Sequence, residues 1–284
     1  IEDLLQEYAP LTVEDMDLIQ EDTYSPQAVL LVPYLDVIEA QTPLQEEALD
    51  ALLNWDLHTD IEGAGTSIYE AWHLRFLGNV VSDELDELDP GLGAWYISGH
   101  YIRHATQHVP MLVDMMEDPN HPWFDNITTP EVETRDDIIQ QSFVEAVDWI
   151  QRLQGDDIAN WGWGRLHTVT FPHQPFNQVP VLKNFFNSQT YPMRGSNFSV
   201  YTNSYDWNDP FAVWIVSSAR HITDMSNFSN SVMLGSTGQN MNLLSPHRED
   251  VVQLWQEGSP FLMGYSEADV AGVTESTLIL QPGN

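Results

Sequence analysis

Residues Trp161-Gly162-Trp163-Gly164-Arg165-Leu166-His167-Thr168-Val169-Thr170-Phe171 mark the place where the chain changes character. From Arg165 onward the side chains alternate, which predicts a half-buried strand. Outward in one direction, up to Gly155, Leu and Glu recur at helical spacing; in the other, Asn, Ser, Thr and aromatic residues take over. Asn197-Phe198-Ser199-Val200-Tyr201-Thr202-Asn203 repeats the alternation, and Phe211-Ala212-Val213-Trp214-Ile215-Val216 is the continuous apolar run of a strand covered on both faces. Ser231-Val232-Met233-Leu234 and Thr277-Leu278-Ile279-Leu280 add two short strands, with a helix near His247 to Glu257 between them. Helices followed by antiparallel strands predict an α+β fold, helical over 1–155 and β-rich over 156–284. No set of these strands makes a sheet with its own edges. The expectation is that the chain completes a structure begun by another polypeptide and that neither part is an independent domain.

The helical half carries its own punctuation. Thr12-Val13-Glu14-Asp15 is a capping-box pattern, and Leu11 before it is placed to staple onto Met16. Thr42-Pro43-Leu44-Gln45 is a second start, with Pro at the first helical position, where its missing N–H costs nothing. Ala28, Leu31, Val32, Leu35 and Ile38 keep helical spacing between the two. Over residues 136–153, Ile139, Phe143, Ala146, Val147, Ile150 and Leu153 fall on one face, which predicts a helix with one buried side. The acidic, Pro-punctuated stretches Ser82 to Pro90 and Glu117 to Pro130 read as surface loops.

Charge excludes one class of partner. Nine Lys and Arg stand against 43 Asp and Glu, a formal net charge of −34. No basic patch can be assembled to track phosphates, so nucleic acid and anionic membrane surfaces are not expected partners. No run approaches the roughly 20 apolar residues of a membrane-spanning helix. With 42% hydrophobic residues the chain has the material for a core and is not a disordered acidic tail. The absence of Cys removes disulfides, thiolate metal sites and a cysteine nucleophile from these residues.

Candidate chemistry is sparse. His100, His104 and His108 recur every four residues, so on a helix they share a face that could hold zinc or copper. A hydrolytic zinc site of this type would want Glu beside the first His, and Tyr101 stands there. Gly235-Ser236-Thr237-Gly238 forms a turn whose N–H groups could face an anion, with a plain tight turn as the alternative. His167 and His173 flank the first strand and read as hydrogen-bonded structural histidines ahead of catalytic bases. Carboxylate pairs such as Asp136-Asp137 and Asp156-Asp157 are uninformative in so acidic a chain.

Several ordered segments together carry more than any one motif. Leu11-Thr12-Val13-Glu14-Asp15-Met16 followed by Gln20-Glu21-Asp22-Thr23-Tyr24-Ser25, then Ala51-Leu52-Leu53-Asn54-Trp55-Asp56, are the first two. Trp161-Gly162-Trp163-Gly164-Arg165-Leu166-His167 with Phe171-Pro172-His173, and Arg194-Gly195 ahead of Phe198-Ser199-Val200, come next. Gly235-Ser236-Thr237-Gly238-Gln239, Ser245-Pro246-His247-Arg248-Glu249-Asp250, Leu254-Trp255 and Leu278-Ile279-Leu280 close the series. In this order the chain resembles, from end to end, the C-terminal half of the large chain of the penicillin acylase (penicillin amidase) family of N-terminal-nucleophile hydrolases.

The resemblance implies a four-layer αββα fold and hydrolysis of an amide in an acylated small molecule: a β-lactam, an acyl-homoserine lactone or an acyl-amino acid. It implies a nucleophile at the first residue of the large chain, exposed by self-cleavage of a precursor, with its own α-amine as base. Position 1 here is Ile, which has no nucleophilic atom. By the family pattern the nucleophile, the oxyanion Asn and an active-site Arg precede Ile1, so no catalytic residue is assigned in this chain, which alone is expected to be inactive. The expected partners are the remaining polypeptides of the same precursor, namely the small chain and the N-terminal half of the large chain. Calcium is expected in the assembled enzyme and no cofactor in this chain. The expected location is periplasmic or extracellular. The alternative is a family member without activity that serves as an extracellular binding or structural protein.

Overall fold

The computed structural model describes residues 1–97, 105–206, 209–240 and 242–282. In chain order the helices and strands begin with α1 (Glu2–Glu7), α2 (Val13–Gln20), α3 (Pro26–Leu31), α4 (Pro43–Leu53), α5 (Ala64–Leu88), α6 (Leu92–Trp95), α7 (Ala105–Met116) and α8 (Arg135–Gln154). They continue with α9 (Trp163–Leu166), β1 (Thr168–Thr170), α10 (Pro180–Phe186), β2 (Thr190–Pro192), β3 (Asn203–Asp206), β4 (Asp209–Val216) and β5 (Ala219–Ile222). The last are β6 (Val232–Gly235), α11 (Val252–Glu257), β7 (Phe261–Leu262) and α12 (Glu267–Val273). Helices therefore precede strands, and every strand pair among the described residues is antiparallel, in sheets ordered β1-β2, β3-β4 and β5-β6-β7. The chain divides into two compact units, residues 22–216 and residues 1–21 with 217–284, so the change of character at Gly155 lies inside a unit.

Unit 22–216 is built on α5. Ile68, Tyr69, Ala71, Trp72, Phe76, Leu77 and Val80 of this helix are all but sealed from solvent, and α4 and α8 pack against it. Thr42 starts α4 by accepting a hydrogen bond from the Gln45 N–H at 3.2 Å, with Pro43 in the first turn. Helix α8 opens on a capping box in which Thr134 and Asp137 bond each other's backbone N–H groups, and it stops at Gly155, φ +84°. Ile139, Phe143, Ala146, Val147 and Ile150 face inward as their spacing predicts, but Leu153 is 53% exposed because the buried stripe ends one turn earlier.

Four expectations are corrected. Ser82 to Leu88 is helical: Val81 and Leu85, four apart, carry the inner face of α5 past Val81, and Glu and Leu are good helix formers. The Asp86 carboxylate then accepts the N–H groups of Gly91 (3.1 Å) and Gly93 (2.9 Å) beyond the helix end. Residues 197–202 bend instead of forming a strand, because Ser and Thr side chains take over the backbone. Ser199 Oγ accepts the Ser196 N–H at 3.0 Å and donates to the Tyr201 carbonyl at 2.9 Å, while Thr202 Oγ1 donates to the Ser199 carbonyl at 2.7 Å. Strand β4 is covered on one face only, with Phe211 and Val213 buried and Trp214 and Ile215 each 47% exposed. Thr277 to Leu280 forms no strand, and Leu278, Ile279 and Leu280 stand in solvent.

Gly195 ties these parts of the unit together. Its N–H donates to the Thr59 carbonyl at 2.7 Å, its carbonyl accepts Trp163 Nε1 at 2.9 Å, and its φ is +82°. A Cβ there would run into the Tyr201 carbonyl. Gly195→Ala combines a left-handed backbone with an overlap on backbone, so a loss of about 2 kcal/mol or more in a urea titration is expected.

Unit 1–21 with 217–284 is held by polar contacts as much as by apolar ones. Thr12 and Asp15 form the capping box of α2, and the Thr12 hydroxyl and N–H hold the Asp15 carboxyl below its usual range. The largely buried Arg220 of β5 pairs with Glu21 and donates from Nη2 to the Trp255 carbonyl at 3.0 Å. Trp255, fully buried, donates from Nε1 to the Ser217 carbonyl at 3.0 Å.

Candidate functional site

Ser67, Glu70 and His73 follow one another at three-residue steps on α5, each about 60° round the helix from the last, and all three are buried. Tyr205 Oη donates to Glu70 Oε2 at 2.5 Å, and the Ser196 hydroxyl bonds the same carboxyl. Burial pushes the Glu70 carboxyl up to about 7, against the pull of those two hydrogen bonds. Glu70 thus holds its proton over much of the acidic range, as a carboxyl in an apolar site does.

His73 is set the other way. Its Nε2 lies 3.0 Å from Gln27 Nε2, which can only be a donor, so Nε2 accepts and the ring is neutral. Tyr69 Oη donates to the Gln27 Oε1 at 3.0 Å, which fixes that amide's orientation. Burial pushes His73 down to about 3. His167 is likewise pushed down to about 3 by burial; its Nδ1 donates to the Phe211 carbonyl at 2.7 Å, and the ring stacks on Trp163 at 4.4 Å. Perturbed groups of this kind often mark active sites. Here each one is wholly buried, so they act by fixing α5 and β4 against the 194–205 segment.

A hydroxyl, an imidazole and a carboxylate also meet at Thr23, His58 and Asp60. Thr23 Oγ1 donates to Asp60 Oδ1 at 3.0 Å and lies 3.2 Å from His58 Nδ1. With its single proton on the carboxylate, the hydroxyl must accept from His58, so Nδ1 carries a hydrogen. That is the reverse of a nucleophile activated by a base. The cluster closes a corner in which Thr59 N–H and Oγ1 both donate to the Thr23 carbonyl, at 3.0 and 2.8 Å.

His108, on α7, does face a cavity. Its Nδ1 is 3.0 Å from Tyr96 Oη, and with Val81, Leu85, Met111, Met115, His121 and Trp123 the pair lines a space of about 440 Å³. His100 and His104 lie outside the described residues. Among the described residues no three His, Asp or Glu side chains are grouped to hold a metal ion. Two N–H groups of the Gly235–Gly238 turn are spent internally, Ser236 on the Ser218 carbonyl and Gly238 on the Arg248 carbonyl, each at 3.1 Å. His173 packs between Phe176 and Phe186, each ring 5.2 Å away. No described helix is long and apolar enough to cross a membrane.

Glu70, His73, Thr23 and His58 were not singled out from the sequence. For Glu70 a signal was present: one carboxylate inside Ile68-Tyr69-Glu70-Ala71-Trp72, where every neighbour belongs to the core. Thr23 and His58 are brought together by chain reversal, which no local pattern reveals.

Comparison with known proteins places this architecture. The sequence model of penicillin amidase matches residues 1–272. The chain is similar to an acyl-homoserine lactone acylase of Pseudomonas aeruginosa, 24% identical over 231 residues that cover 78% of this chain and 27% of that protein. It is also similar to a penicillin acylase 2 proenzyme of a Pseudomonas species, 24% identical over 273 residues, or 94% of this chain and 33% of that one. Among solved structures, a thermostable penicillin G acylase from Alcaligenes faecalis superposes with a TM-score of 0.54 at 16% identity, covering 99% of this chain and 52% of that chain. The chain therefore spans about a quarter to a third of these curated relatives and about half of the solved chain.

Proposed function

Because the chain belongs to the penicillin amidase family, we propose that it is the scaffold portion of an amidohydrolase that cleaves the amide bond of an acylated small molecule. A β-lactam, an acyl-homoserine lactone and an acyl-amino acid are the candidate substrates. The nucleophile, the oxyanion Asn and the active-site Arg come from a segment upstream of Ile1, in a four-layer αββα assembly. A terminal hydroxyl or thiol there attacks the amide carbonyl while its own α-amine takes the proton. The amine product leaves, and water releases the acyl group. The small chain and the N-terminal half of the large chain complete the sheets, neither part of this chain being an independent domain. Calcium belongs to that assembly, and the location is periplasmic or extracellular, where a charge of −34 favours solubility.

One observation carries the reading. Nearly the whole chain matches the family, while in the Thr23–His58–Asp60 cluster the hydroxyl donates to the carboxylate and not to the imidazole. The test is release of free amine from an acyl-homoserine lactone and from an acylated β-lactam by the complete precursor. Amine release is expected, falling by about 10³-fold or more when the residue at the new N-terminus is replaced by Ala. Failure of every acyl amide to react would sink the proposal, as would activity indifferent to that residue.

A further inference from the structure

In a chain with 43 Asp and Glu, none occurs between Asp157 and Asp206, the longest such stretch in the sequence. The same stretch carries Arg165, Lys183 and Arg194. Its middle part is an arm between β1 and β2. The neck closes where Thr170 pairs with Thr190, their hydroxyls 2.8 Å apart. Just beyond, the Phe171 N–H donates to Ser188 Oγ at 2.7 Å, and the His173 N–H to Asn187 Oδ1 at 3.0 Å.

Past the neck the arm builds a small core of its own. Phe176 and Phe186 lie 4.4 Å apart, with His173 5.2 Å from each. That core orders the backbone but hides little, and no residue of α10 is buried. Val181 and Phe185, one turn apart on the same side of the helix, are each 68% exposed, and Val179 beside them is exposed as well. An ordered, apolar, acid-free surface has the composition of an interface core, where charged residues are scarce and aromatic ones enriched. Because the arm is already folded, docking it orders little further chain.

Charge and length select the occupant. A second copy would bring a further net charge of −34 to the contact. A membrane surface would call for a row of Lys and Arg beside the apolar face, and α10 has Lys183 alone. The matched part makes up 52% of the solved penicillin G acylase chain and 27% to 33% of the curated relatives, so much polypeptide remains to be placed against this one. We propose that residues 171–189 are an arm that docks onto the polypeptide upstream of Ile1, with Val181 and Phe185 at the centre of the contact. The inference rests on the proposed function in taking that polypeptide to be present, and it concerns assembly, not the amide chemistry.

Hydroxyl-radical footprinting of the complete protein tests it, with Val132 as the reference. Val132 belongs to the same unit, lies between Glu131 and Glu133, and is 80% exposed. After correction for intrinsic reactivity, Val181 and Phe185 should be labelled less than Val132 by about fivefold or more. A benzophenone amino acid in place of Phe185 should crosslink to a peptide from upstream of Ile1. Labelling as rapid as at Val132 overturns the proposal. So does a crosslink confined to residues 1–284, whether of the same chain or of a second copy, or confined to lipid when phosphatidylglycerol vesicles are added. Phe185→Glu should lower the urea midpoint of the complete protein, while Val132→Glu leaves it near the wild-type value. Should Phe185→Glu fail to fold, the wild-type footprint decides. Amine release is measured on the same preparations: protection without amine release sinks the amidase reading alone, and amine release without protection sinks the docking alone.

Discussion

Replacing Trp163 with Ala is expected to lower stability by about 3–5 kcal/mol, read as a shift of the urea midpoint of the protein that carries this chain. Trp163 is fully buried, stacks on His167, and meets Tyr205 and Phe211 edge-on with centroids 6.0 and 5.8 Å away. Its Nε1 donates to the Gly195 carbonyl at 2.9 Å. Truncation opens a large void, removes three ring contacts and strands that carbonyl, and the neighbours that would have to collapse are themselves pinned. His167 is bonded to the Phe211 carbonyl, and Tyr205 to Glu70. Trp163→Phe keeps most of the ring contact and should cost markedly less. Equal losses for Ala and Phe would mean that the hydrogen bond, and not the packing, dominates.

The second large effect is a pH profile with two opposing limbs. His73 and His167 stay neutral in the fold, pushed down from 6.5 to about 3, while in the unfolded chain they take up protons near 6.5. Between those values the unfolded state binds more protons, so stability falls as pH falls. Glu70 works in the other direction. Its carboxyl is pushed up from 4.5 to about 7, so in that window the folded state binds more protons and stability falls as pH rises. Where the windows overlap, two histidines outweigh one carboxyl and acid is the destabilising side. Glu70→Gln isolates the carboxyl: from about pH 4.5 to about pH 8 the wild type should lose roughly 3 kcal/mol relative to the variant. Urea midpoints of both proteins across that range check it. Parallel profiles would show that Glu70 ionises as freely in the fold as in the unfolded chain.

Much of the helical part is legible because its signals are local. Thr12 with Asp15, and Thr42 with Pro43 and Gln45, carry their caps in four consecutive residues, and the α8 face is written at a spacing that only a helix can use. The family likewise follows from segments in order. What stays hidden depends on competition between neighbours or on distant partners. Asp83 to Leu88 has a loop's composition, yet the burial of Leu85 beside Val81 keeps the helix going. Residues 197–202 have a strand's alternation, yet Ser199 and Thr202 bond the backbone first. The Glu70–Tyr205 pair joins positions 135 residues apart, and nothing around either residue announces the other. The catalytic residues that we propose upstream of Ile1 are beyond the reach of any reading of these side chains.

The central claim is that this chain serves an amidohydrolase whose nucleophile lies elsewhere in the precursor, and N-terminal sequencing addresses it most directly. It should be applied to every polypeptide that co-purifies with this chain, alongside native mass spectrometry. The account predicts an assembly in which one polypeptide, carrying this segment or accompanying it, begins with Ser, Thr or Cys. A folded chain found alone would contradict it, as would an assembly in which every polypeptide begins with a residue that has no nucleophilic side chain.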